Sequence, residues 1–296
     1  MVIVLAVMID VIQYRLTLFN YTNRFNGYGV MESVLDGTAL APMQYRPLVA
    51  WLWYPFKIWG RKSYEVIKVA AIALSFYAIY QMCQLFWGCG YLGTLIYAIL
   101  VVSQFQFDYV EQYIEIAIWS SFIISLFTGN ILWSAILLVI GSLNREMTLF
   151  LPLVYFLATF HWLNSILMLC VCGLTMLSLR ILYGVKKNYV TEVVKLGVRN
   201  GGAVVVNESI ENATVLLSYN IQSFKKKPMV INSMILVTFA FAGLFFNYFP
   251  MPEIKYVVIP FVLLWFTKAM FYETRVGLPL SIFVIPVILG VFGYVN

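Results

Sequence analysis

Charge is scarce in this sequence: Asp, Glu, Lys and Arg supply 11% of its 296 residues, against 62% hydrophobic types and a mean hydropathy of +0.87. Soluble domains carry roughly twice that charge, so a soluble globular fold is excluded. Histidine is represented by His161 alone, which disfavours a His-based metal site or a triad that needs an imidazole base. Cysteine occurs only at Cys83, Cys89, Cys170 and Cys172. None has zinc-type spacing, and all lie in or beside apolar runs, where a thiol packs as a small hydrophobe. The run from Met1 to Ile12 lacks the basic flank and the A-x-A-like cleavage site of a signal peptide. It reads as a first span that continues past Asp10 and Arg15. Internal repeats and low-complexity segments are missing too.

What remains is one apolar run after another. A helix needs about 20 apolar residues to cross about 30 Å of hydrocarbon. Runs of roughly that character lie near residues 2–19, 64–86, 91–106, 112–128, 131–143, 147–160, 163–183, 231–249, 256–271 and 277–295. In lipid every backbone N–H and C=O must be satisfied internally, and these runs lack the in/out alternation of barrel strands. The expectation is an all-α polytopic transmembrane helix bundle of about nine or ten spans. It would form a single transmembrane domain over residues 1–296, with no room for a separate soluble domain. Twenty Tyr and eight Trp suit aromatic belts at both membrane surfaces.

Two connections are long. The first, residues 20–63, holds Asp36-Gly37-Thr38 and then Gln44-Tyr45-Arg46-Pro47-Leu48. Pro47 suits the first turn of a helix. The aromatic stretch from Leu48 to Trp59, with Lys57, Arg61 and Lys62 at its end, predicts a helix lying in the membrane interface. The second connection, residues 184–230, carries Lys186, Lys187, Lys195, Arg199 and the run Lys225 to Lys227. Such a run reads first as a headgroup-facing surface.

With spans alternating in direction, loops 20–63, 107–111, 144–146, 184–230 and 272–276 share one face. That face holds fourteen of the nineteen cations and nine of the thirteen carboxylates, whereas Lys255 is the one loop cation opposite. Four clusters stand where spans meet it: Asp36 with Arg46, Asp108 with Glu111, Asn144-Arg145-Glu146, and Glu273-Thr274-Arg275. One acid beside one base can simply neutralise itself at an interface. Four such clusters on one face point to a site. Guanidinium groups match phosphate oxygens bidentately, and a carboxylate can take the proton of an attacking hydroxyl.

In their order along the chain these residues resemble the GT-C superfamily of polytopic glycosyltransferases, which use polyprenyl-phosphate-linked sugars and place an acid in the first large extracytoplasmic loop. The resemblance is a pattern of individually weak motifs spread over about 280 residues. It implies Asp36 as general base, with Asp108 or Glu111 next. It implies Arg46, Arg145 and Arg275 as the hold on the donor phosphate, and Glu146 and Glu273 as groups that orient those arginines or contact sugar hydroxyls. The partners implied are a polyprenyl-phosphate-linked sugar donor, membrane lipids and a hydroxyl acceptor of unspecified kind, with no nucleic acid. The first loop lacks an Asp-x-Asp or Asp-Glu pair, so metal assistance is not indicated. No cofactor is required, and a divalent ion stays an open alternative. No soluble C-terminal domain like that of oligosaccharyltransferases is present in the sequence, which favours transfer of one sugar.

The expected location is a prokaryotic cytoplasmic membrane, with the site face extracytoplasmic by the resemblance and cytoplasmic by the positive-inside rule. A competing expectation is a transporter or flippase of a lipid-linked or polar substrate, although no inverted repeat supports it. An accessory subunit of a membrane assembly is another. The resemblance predicts that Asp36→Asn abolishes sugar transfer from a polyprenyl-linked donor while the chain keeps its wild-type elution profile in detergent; full turnover by the variant would remove Asp36 from the base role.

Overall fold

A backbone surrounded by apolar side chains must hydrogen-bond to itself, and this sequence does so locally. The computed structural model describes residues 2–20, 27–39, 45–102, 110–184, 229–268 and 278–295, and among these there is no strand. The chain is an all-α helical bundle. In order it comprises α1 (Val2–Asn20), α2 (Gly27–Leu35), α3 (Leu48–Trp53), α4 (Arg61–Trp87), α5 (Gly90–Val102), α6 (Val110–Phe127), α7 (Ile131–Asn144) and α8 (Leu151–Thr159). These are followed by α9 (Trp162–Tyr183), α10 (Met229–Ala242), α11 (Val258–Lys268) and α12 (Ser281–Val291). Short 3-10 segments lead out of α3 (Tyr54–Trp59), into α8 (Glu146–Phe150) and into α11 (Pro252–Val257).

Three of these helices, α4, α6 and α9, are long and apolar enough to cross a membrane. Apart from α1, with 19 residues, the other apolar helices among the described residues are shorter. With a rise of about 1.5 Å per residue, the 14 residues of α7 reach about 21 Å, short of a full hydrocarbon core. Polar breaks bound α7 on both sides. Asn130 caps its start by accepting the Trp133 N–H at 3.0 Å, and Arg145 ends it in an extended conformation.

The α6 helix is the axis of the bundle. Every side chain from Val110 to Ser120 is buried, and the helix packs against α4 on one side and α7 on another. The α4 helix also contacts α1 and α5, α7 contacts α9, and α12 contacts α5 and α10. On the outside, α9 exposes Leu163, Ile166, Leu167, Leu174, Leu177, Ile181 and Leu182. This is the surface a lipid-facing helix presents. Cys83 and Cys172 are buried, and all four cysteines are free.

The Gly/Asn-rich opening of the first long connection does not read as helical in the sequence, yet α2 forms there. Its Met31 and Val34 are fully buried, and α2 lies against α3, so packing outweighs the low helix propensity of Gly27 and Gly29. Close contact decides another position. A Cβ at Gly93 would sit 2.3 Å from Cys83 Sγ, so the α4–α5 approach depends on glycine there. Gly93→Ala is expected to push α5 outward and lower stability by about 1–3 kcal/mol, seen as a lower melting temperature in detergent; unchanged melting would mean the two helices can separate freely.

Candidate functional site

The site begins where α7 stops. Arg145 leaves the helix with φ −158° and ψ 150°, and its N–H still donates to Gly141 O at 2.8 Å. This extended turn sends the side chain back towards α6, where its guanidinium pairs with Glu115. Both side chains are almost wholly removed from the surface, at 5% and 1% exposure. One residue earlier, Asn144 Nδ2 donates to the backbone oxygen of Glu111 at 2.8 Å. The end of α7 is thereby tied to the first turn of α6.

One residue later, Glu146 opens the 3-10 segment that leads into α8. Its Oε2 accepts from Arg46 Nε at 3.1 Å and Nη2 at 2.7 Å. Arg46 stands immediately before Pro47, which caps α3. Its neighbour Tyr45 donates its hydroxyl to Gly184 O at 2.8 Å, beyond the last residue of α9, and the Arg180 guanidinium lies 5.8 Å over the Tyr45 ring. Four stretches remote in sequence therefore meet at one end of the bundle: residues 45–46, 111–115, 144–146 and 180–184. The charges of Arg145, Arg46 and Glu146 all act on the Glu115 carboxylate.

The two ion pairs differ in access. Arg145 and Glu115 are locked inside, whereas Arg46 and Glu146 retain 13% and 36% of their side-chain surface. Deeper in, Glu111 Oε2, Gln112 Oε1, Glu115 Oε1 and Asn144 Oδ1 are buried without a hydrogen-bond partner among the described residues. Buried acceptors of this kind require donors, which water or the hydroxyls of a polar ligand supply.

Asp36 is exposed in the turn after α2, with its N–H donating to Glu32 O at 3.0 Å, and its carboxylate forms no ion pair among the described residues. Its sequence neighbour Arg46 is engaged by Glu146. Glu111 is buried in the first turn of α6. Arg46, Arg145, Glu111 and Glu146 come together, while Asp108, Glu273 and Arg275 lie outside the described residues. Among the described residues, no group of three or more His, Cys, Asp or Glu side chains could hold a metal ion.

Sequence reasoning missed Glu115, because it falls inside a predicted span rather than at its edge. Two signals could have found it. A carboxylate within an apolar span needs a partner, and the four-residue spacing from Glu111 puts both acids on one helix face.

A second set of charges braces α1 against α4. Lys68 Nζ lies 2.5 Å from Asp10 Oδ1 and 3.1 Å from Glu65 Oε2, and Arg61 Nε lies 3.3 Å from Glu65 Oε1. At the other end of the bundle Lys255 is buried and donates to Phe246 O at 3.0 Å and Asn247 Oδ1 at 2.7 Å. It is held by a loop rather than aimed at a ligand.

The chain matches no family model, no curated protein and no solved structure. Removing one partner of the inner pair should be costly: Glu115→Ala is expected to destabilise the chain by about 3–5 kcal/mol, because it takes the ion-pair partner from a buried guanidinium. The double variant Glu115→Leu/Arg145→Met should recover much of that loss in a thermal melt, and additive losses in the double variant would show that the two residues act separately.

Proposed function

We propose that the chain is a multi-pass membrane glycosyltransferase of the GT-C type, transferring a single sugar from a polyprenyl-phosphate-linked donor to a hydroxyl acceptor on a glycan, lipid or protein. The observation that carries this reading is the Arg46–Glu146 pair. It joins residues 100 positions apart, keeps partial access from outside, and stands beside the buried acids of α6.

The chemistry assigns each group a task. The acceptor oxygen attacks the anomeric carbon, the bond from that carbon to the phosphate oxygen breaks, and polyprenyl phosphate leaves with the bonding electrons. Asp36, an exposed carboxylate with no ion pair among the described residues, is assigned to take the acceptor proton, with Glu111 and Asp108 next in order. Base assistance of this type is worth about 100-fold to 10,000-fold in rate.

Arg46 is assigned to the donor phosphate, where a planar guanidinium offsets the charge that grows as the leaving group departs. Glu146 then orients Arg46 through the fork it already accepts. A phosphate that reaches Arg145 has to displace Glu115, so Arg145 is the inner, second contact. Arg275 and Glu273 keep the phosphate-binding and orienting roles that the resemblance gives them. The site face is extracytoplasmic in this reading, as the resemblance implies, against the positive-inside rule.

Purified chain in lipid nanodiscs, supplied with a polyprenyl-phosphate-linked sugar and a hydroxyl acceptor, should release polyprenyl phosphate. Arg46→Ala should raise the donor KM about tenfold or more, with the acceptor KM unchanged; equal effects on both would count against a phosphate role. Movement of a lipid-linked sugar across liposomes without release of polyprenyl phosphate would replace this reading with a flippase.

A further inference from the structure

The corner between α3 and α4 is built rigidly and left uncovered. Trp53 is fully buried, and its Nε1 donates to Ser63 Oγ at 2.9 Å. That hydroxyl lies within hydrogen-bond distance of the carbonyls of Phe56, at 2.9 Å, and Gly60, at 2.8 Å. Gly60 takes φ +57°, a left-handed conformation that glycine adopts without strain, and this turns the chain from the 3-10 segment into α4. One serine thus ties the last turn of the segment to the first turn of the longest candidate span.

What the corner displays is apolar and basic together. Trp51, Leu52, Tyr54, Phe56, Ile58 and Trp59 are exposed, with Ile58 at 85% and Trp59 at 63%. Phe56 and Trp59, three residues apart on a 3-10 helix, stack with ring centroids 5.8 Å apart. Among the neighbouring cations, Arg61 pairs with Glu65, and Lys68 pairs with Asp10 and Glu65. Lys57 and Lys62 are exposed and form no ion pair among the described residues, so the corner carries a positive excess.

We infer that this corner is a binding site for anionic phospholipid, whose acyl chains cover the exposed aromatic face and whose headgroup phosphate meets Lys57 and Lys62. The occupant follows from continuity. The helix α4 has the length and hydropathy of a membrane span, so its first turn stands at headgroup depth, and the corner one residue away faces the same leaflet. Negative lipid charge complements the excess, each basic residue near such a surface contributing about 1 kcal/mol. This inference does not rest on glycosyl transfer.

The test compares lipid retention by native mass spectrometry of the full chain released from micelles that contain equal phosphatidylglycerol and phosphatidylcholine. Wild type should retain phosphatidylglycerol preferentially. Lys57→Gln/Lys62→Gln should lower that preference about fivefold per cation removed, the equivalent of about 1 kcal/mol each, with melting unchanged. Thr128→Asp/His161→Asp lowers the net charge by the same two units in the exposed α6–α7 and α8–α9 turns and should leave the preference intact. Equal loss in both double variants would overturn the site in favour of a net-charge effect, and wild type without a preference would overturn it outright. Trp51→Ala/Trp59→Ala should lower retention of both lipids; unchanged retention would overturn the acyl-chain contact.

Discussion

A guanidinium cannot shed its proton in a protein and cannot lie alone in an apolar interior, and the structure meets both conditions at Arg145. Taking an ion out of water costs several kcal/mol even after relaxation, and only a well-placed counter-charge offsets it. Glu115 is that counter-charge, and its place on the most buried helix fixes the rest. The α7 helix must stop where Arg145 can reach α6, the chain must reverse there, and Glu146 must follow at once. From that reversal come the placement of Arg46, of α3 behind it, and of the Tyr45 contact with the end of α9.

The α1–α4 contact obeys the same rule with another residue type. Lys68 is buried midway along the first half of α4, and Asp10 and Glu65 share it. Glu65 also reaches Arg61, so charge is handed from the first turn of α4 inward through paired groups. These pairs fix the register of α1 on α4, whose apolar surfaces alone would leave it free to slide.

Helical content was legible because apolar runs in lipid admit little else, and the runs near 64–86, 131–143 and 163–183 correspond closely to Arg61–Trp87, Ile131–Asn144 and Trp162–Tyr183. The α2 helix was not legible: its glycines favour a turn, and only contact with α3 offsets them. The site was half legible. Arg46, Arg145, Glu111 and Glu146 stand out as ionisable residues at span ends, and they do lie at one end of the bundle. Their pairing was hidden, since Asp36 is the acid nearest Arg46 in the first connection while Glu146 is the acid that holds it. Glu115 escaped notice because a single acid hardly lowers the hydropathy of its run.

The shortness of α7 has a mechanical consequence for the surrounding bilayer. A hydrocarbon layer about 30 Å thick cannot be matched by a helix of about 21 Å without bending towards it. A leaflet that met α7 at the Arg145 reversal would have to thin there. Thinning of that kind brings headgroups and their water closer to the charged turn that closes α7.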